Sequence, residues 1–213
     1  MIYQIIWLCL KSRLLISGLA ITSDLILPDH NADAYRNNLI ISKYPSGSLS
    51  NLDQFLLLLT NSFTRWDAQY FLAISHENQY IEEQMLAFFP LFPLVIRHVS
   101  ILFQQLIVLL FTVQLSSLSC LVISAYLINL VAFILSGIFL YKLTIIMFHS
   151  TSVSLQVVKL FVYNPASIFF TAFYTESLFC CFTFGALYCL YRSRTPLITS
   201  IILAFSAYTR SNG

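Results

Sequence analysis

The sequence predicts an all-α, polytopic membrane protein: a bundle of apolar helices with one polar loop, residues 28–92, between its first two membrane segments. Three observations carry that expectation. Of 213 residues, 58% are hydrophobic and only 9% charged, with a mean hydropathy of +0.80, so the chain lacks the polar surface to enclose a water-soluble globule. Residues 99–141 hold no formal charge over 43 positions, which as helix is about 64 Å, twice the hydrocarbon thickness, and so requires two spans. Seven of the nine acidic residues (Asp29, Asp33, Asp53, Asp67, Glu77, Glu82, Glu83) crowd into one interval, the chain's only sizeable polar region. The near balance of eleven Lys and Arg against nine Asp and Glu leaves no basic face for nucleic acid.

Residues 2–27 are long enough for a first retained span, although Lys11, Arg13 and Asp24 must snorkel, pair or face other helices. The simpler expectation is that Lys11 and Arg13 flank a shorter, partly interfacial helix on the cytoplasmic side. Pro28 ends this helix, because it donates no N–H and disfavours helical geometry before it. Asp29, His30 and Asp33 then stand within five residues but lack any metal-ligand spacing, so no metal is expected and they are read as lining the start of the loop. Residues 43–51, rich in Ser with Pro and Gly, read as turn; 52–63, with too few apolar positions to span, reads as a short amphipathic helix on the membrane surface.

After the two-span hairpin, turning near 114–119, residues 142–152 form a polar interval and 153–191 a second long apolar run broken at Asn164 and Pro165. Arg192 and Arg194 make a basic loop that belongs on the cytoplasmic side. Simple alternation of complete spans would put it on the other side, so one segment, near 164–165 or 88–93, has to be a half-helix or re-entrant. The last apolar run, 197–208, is half a span or the start of something longer. The five cysteines all sit in apolar runs and are read as packing residues.

Four groups of residues could carry chemistry. Arg65, Trp66 and Asp67 are either an interfacial anchor with a surface ion pair or a catalytic carboxylate delivered to the membrane surface. His76, Glu77, Glu82 and Glu83 are either a solvated acidic face or groups that orient an acceptor and support Asp67. The aromatic and proline run 87–93 suits plain packing or a groove for an isoprenoid chain, and its prolines favour an extended or kinked start to the next span. Glu176, alone in an apolar run, is by default a functional candidate; Arg210 is a membrane-edge anchor or a phosphate ligand.

Five stretches in this order, PDHNADAY (28–35), RWDAQYF (65–71), AFFPLFPLV (87–95), NPASIFF with YTESLF (164–179) and RSNG (210–213), resemble the GPI mannosyltransferase 2 family of the PIG-V type. The resemblance implies a GT-C glycosyltransferase embedded in the endoplasmic reticulum membrane by multiple passes. It would transfer the second, α1,6-linked mannose of the GPI precursor from dolichyl-phosphate-mannose. No resident cofactor is expected, the metal requirement is left open, and the partners are the lipid-linked donor, the GPI precursor and a membrane partner subunit. On this reading 28–92 is a luminal catalytic loop within a single membrane domain, and Asp67 is the catalytic base of an inverting transfer. Arg65, Trp66, His76, Glu82, Glu83, Glu176 and Arg210 contact substrate. Family members continue well beyond the RSNG motif, so the chain is expected to correspond to an N-terminal portion. The alternatives are a non-catalytic membrane subunit, a transporter whose path is lined by Asn129, Lys159 and Glu176, or an inactive remnant.

Overall fold

The computed structural model describes residues 1–27, 49–111, 113–193 and 195–210; Asp29, His30, Asp33, Arg194 and the final three residues lie outside that set. Among the described residues the regular structure is entirely helical: α1 (Ile2–Ile26), α2 (Asn51–Thr60), α3 (Asp67–Glu77), α4 (Leu91–Phe111), α5 (Ser117–Phe148), α6 (Thr151–Val162), α7 (Glu176–Ser193) and α8 (Pro196–Thr209), with single 3-10 turns at Asn61–Phe63, Glu83–Ala87 and Ser167–Phe170. Helices α1, α4 and α5 are long and apolar enough to cross a membrane, and α6 and α8 are shorter apolar helices. The protein is a polytopic helical membrane protein, with large apolar side chains such as Leu14, Leu109 and Leu160 turned outward.

Local sequence sets the helix ends. Ser50 caps α2 and Asp53 reaches back to the Ser50 N–H, a reciprocal box that satisfies donors at the helix start. Ser116 and Ser150 cap α5 and α6 in one direction only, each side-chain oxygen accepting from the N–H three residues on. Asn78 (φ 57°) and His149 (φ 49°) close α3 and α5 in the left-handed conformation. Helix α4 begins at Leu91, before Pro93, earlier than an extended or kinked proline segment implies; Pro93 falls in the first turn, where a missing N–H costs nothing.

Named contacts fix the topology. Helices α1 and α5 are antiparallel, Ser17 meeting the Tyr126 hydroxyl at 3.0 Å while Cys9 abuts Gly137. Helix α7 runs parallel to α5, with Ser136 on the Ser177 carbonyl and Phe139 on Tyr188 further along. Helix α6 climbs back only as far as Phe133, on which Phe161 stacks at 5.1 Å, so at 12 residues it is a half-length helix. Helix α8 returns along α7 through Phe182 with Phe205 and Thr183 with Ser206.

The hairpin of α4 and α5 closes with the Gln104 amide on the Leu115 carbonyl, at the end of the bundle where α1 finishes. Phe92 lies twelve positions before Gln104, about 18 Å, so α4 starts midway along α5, beside Phe71, rather than at the far end. Helix α7 therefore brings Arg192 to the end of the bundle where α1 begins and Lys142 lies over Tyr188, gathering these basic groups on one side.

Arg13 differs from its sequence expectation. Helix α1 is continuous, and Arg13, in its middle, is 2% exposed rather than at a helix edge. Lys142, expected in a polar interval, lies within α5, and the segment holding His76 and Glu77 is helix α3 rather than loop.

Candidate active site

An open cleft of about 280 Å³ is lined by Asp67 and Phe71 of α3, residues 87–89, Tyr174, Thr175, Glu176, Thr209 and Arg210. Four segments distant in the chain meet there. Asp67 is the first residue of α3, presented by a turn in which the Ala68 N–H donates to the Arg65 carbonyl at 3.2 Å. Trp66, at φ 54° and ψ −126°, occupies the first central position of that turn, a type II′ geometry that glycine normally fills. A bulky side chain there carries strain of about 1–3 kcal/mol, which persists only when its surroundings enforce it. The enforcement is visible: the Tyr174 hydroxyl donates to the Arg65 carbonyl at 3.0 Å, and the Phe173 N–H donates to the Phe63 carbonyl at 3.1 Å.

The Asp67 carboxylate is exposed to the cleft and makes no ion pair among the described residues. Glu176 opens α7, and its Oε1 accepts from the Arg210 guanidinium, while its Oε2 is buried without a hydrogen-bond partner among the described residues. Burial pushes the Tyr174 phenol above its ordinary pKa, and the charges of Asp67 and Glu176 push it further, so it stays a neutral donor between two carboxylates. The cleft thus combines the exposed Asp67 carboxylate, the Glu176–Arg210 pair and an aromatic wall. That set can take a proton from a hydroxyl and hold an anion.

The remaining sequence candidates lie elsewhere. Arg65 points from the turn to Asp24 of α1, at 3.2 Å, beside an apolar cavity of about 450 Å³ formed mainly by α1. Trp66 is 60% exposed. His76 pairs with Glu77 at 2.9 Å at the far end of α3, nine residues or about 13 Å along the helix from Asp67, beside a separate cavity lined also by Arg97 and Gln104. Glu82 and Glu83 are exposed at the start of a 3-10 turn. Of the residues that would line a transport path, Asn129 is buried and donates to the Ala172 carbonyl at 2.6 Å, Glu176 faces the cleft and Lys159 is exposed, so they do not converge. No group of three metal-ligating side chains occurs among the described residues.

Sequence reasoning did not single out Tyr174, although it stands in the YTES stretch, nor Asp53, which carried no signal beyond its charge. Asp53 is 3% exposed and accepts from the Ser50 N–H and hydroxyl and from the Ser116 N–H and Ser119 hydroxyl, tying α2 to the start of α5.

A family model described as Mannosyltransferase (PIG-V) matches residues 2–213. The chain belongs to the PIG-V mannosyltransferase family. Among curated PIG-V relatives, GPI alpha-1,6-mannosyltransferase 2 of Mus musculus is 35% identical over 210 residues, covering 99% of this chain and 40% of the relative. The Homo sapiens protein of the same name is 35% identical over 211 residues, with 99% and 40% covered. GPI mannosyltransferase 2 of Drosophila pseudoobscura pseudoobscura is 32% identical over 216 residues, with 100% and 46% covered. The chain therefore spans less than half the length of these PIG-V relatives. No solved structure matches it.

Proposed function

We propose that this chain carries the catalytic portion of a mannosyltransferase of GPI-anchor synthesis, which adds the α1,6-linked second mannose from dolichyl-phosphate-mannose to the GPI precursor. The reaction takes place in the endoplasmic reticulum membrane, on the luminal face. What supports the reading is the convergence of Asp67, Glu176 and Arg210 in one cleft, together with the names of the relatives.

Asp67 takes the proton of the acceptor hydroxyl as its oxygen bonds to the anomeric carbon. The bond from that carbon to the phosphate breaks on the opposite face, so the configuration inverts. The leaving group already carries its charge and needs little general acid; it needs a cation, and Arg210 supplies one. Glu176 orients Arg210 through Oε1. The wall at Phe88 and Phe89 borders the cleft with apolar surface suited to an isoprenoid chain. Arg65 and Trp66 shape the turn that presents Asp67, and His76, Glu82 and Glu83, which do not line the cleft, are left to outer parts of the acceptor or to a partner subunit. The metal requirement stays open in this proposal.

The test is Asp67→Asn in the full-length protein, expressed in cells lacking GPI-anchored surface proteins. General-base loss costs about 10²–10⁴-fold in rate, so the variant should accumulate yet fail to restore the surface proteins. Restoration at the normal level removes Asp67 from the mechanism.

A further inference from the structure

We propose that Ser12 and Arg13 of α1 are positioning residues for the cleft, holding segment 163–175, the break between α6 and α7, in the conformation that brings Tyr174 and Glu176 to Asp67. The inference rests on the reading of that cleft as the active site.

A charge in the middle of a membrane-spanning helix is expensive and persists where neighbouring groups engage it; both Nη atoms of Arg13 are engaged, while its Nε is buried without a hydrogen-bond partner among the described residues. Arg13 is engaged from the end of α6 to Thr171 within the break before α7. Its Nη2 reaches the Val162 carbonyl, at the end of α6, at 3.4 Å and the Ser167 hydroxyl; its Nη1 donates to the Ser167 carbonyl at 2.7 Å and to the Thr171 hydroxyl at 2.9 Å. The Ser12 hydroxyl donates to the Val162 carbonyl at 2.9 Å and accepts from Arg13 at 2.8 Å, while the Phe133 ring lies 4.0 Å beneath the guanidinium. All these partners are neutral, so this is not an ion pair.

The acceptors are backbone and hydroxyl oxygens freed where Pro165 ends the helix, in a setting without water to take them. A helix break inside a membrane protein needs such donors from a neighbouring helix. The rigid fork of arginine reaches Val162, Ser167 and Thr171 together; lysine, whose three N–H donors radiate from a single nitrogen, does not. Three residues beyond Thr171 stands Tyr174, whose hydroxyl closes the turn before Asp67, and two residues further stands Glu176. Between them the Ala172 carbonyl is held by Asn129. Release of the fork would therefore loosen the break and, with it, both site residues.

The experiment uses the full-length protein in native membranes with two reporters, each in a background without other cysteines: Ala172→Cys in the break and Ala125→Cys in α5, both buried in the parent. Into each is placed Arg13→Lys or, as the milder change, Ser12→Ala. Reactivity with a water-soluble maleimide and mannosyl transfer are both read. For Arg13→Lys the expected result is at least a tenfold faster reaction at residue 172, no change at 125, normal protein level and at least a tenfold loss of transfer; Ser12→Ala moves both readouts less. If 125 and 172 become reactive together, Arg13 serves the fold as a whole and the inference is overturned. Unchanged reactivity at 172, or selective opening without loss of transfer, overturns it as well. Asp67→Asn bears on the catalytic reading alone, so the two ideas fail separately.

Discussion

Asp53→Asn tests how α2 is locked to the bundle. The carboxylate is nearly as well satisfied as its geometry allows: Oδ2 accepts from the Ser50 N–H and hydroxyl at 3.2 and 2.7 Å, and Oδ1 from the Ser116 N–H and Ser119 hydroxyl at 2.9 and 2.6 Å. Burial alone would raise its pKa, but the hydrogen bonds from Ser119, Ser50 and Ser116 outweigh that and hold it at about 2, below the ordinary 3.8. A depression of this size is worth on the order of 2 kcal/mol of folding stability at neutral pH. Because the folded state binds fewer protons between the two values, the contribution is complete above pH about 4 and is lost as pH falls toward 2. Asparagine keeps the shape but turns an NH2 toward one of the two donor pairs, leaving a backbone N–H or a hydroxyl unsatisfied. For a chain of this length the change should lower Tm by about 5–10 °C. Heating of the purified protein in detergent can be followed by intrinsic Trp and Tyr fluorescence, which, unlike thiol labelling, does not depend on a thiolate and so can be read in acid. The parent should lose its advantage over Asp53→Asn as the buffer is taken below pH about 4. A variant with the parent's Tm at pH 7, or an advantage that persists undiminished to pH 2, would show that the lock contributes nothing.

Two further outcomes are expected. A Cβ on Gly137 would stand 2.9 Å from the Cys9 sulfur, so Gly137→Ala should cost about 1–3 kcal/mol, and adding Cys9→Ala should recover part of it; strictly additive Tm changes would refute the close approach of α1 and α5. At Trp66, both Gly and Val remove the indole, but only Val keeps a Cβ, and a branched one, at φ 54°, so Trp66→Val should be less stable than Trp66→Gly by about 1–2 kcal/mol, and equal Tm values would remove the strained turn.

Hydropathy and proline punctuation were enough to outline the helices, because a segment that crosses hydrocarbon must be long, apolar and internally hydrogen-bonded, and those demands act on contiguous residues. The hairpin of α4 and α5 and the break at Asn164 and Pro165 were legible on that ground. The partners of the polar side chains were not. Arg13 looked like an edge anchor because sequence hydropathy registers the cost of a charge but not the freed carbonyls, some 150 positions away, that offset it. Asp53 looked like one acid among seven, since the donors that bury it come from the start of α5.

For the cleft, the sequence by itself determined the members: a carboxylate beside an aromatic pair, a glutamate in an apolar run and an arginine after one each departed from its local composition. Only the tertiary structure decided that Asp67, Glu176 and Arg210 share a cavity while His76, Glu82 and Glu83 stand apart. The reason is geometric. Position along the chain places groups on one helix within a turn or two of each other, but which helices start midway, run parallel or turn back is set by packing between segments, and no local pattern records it.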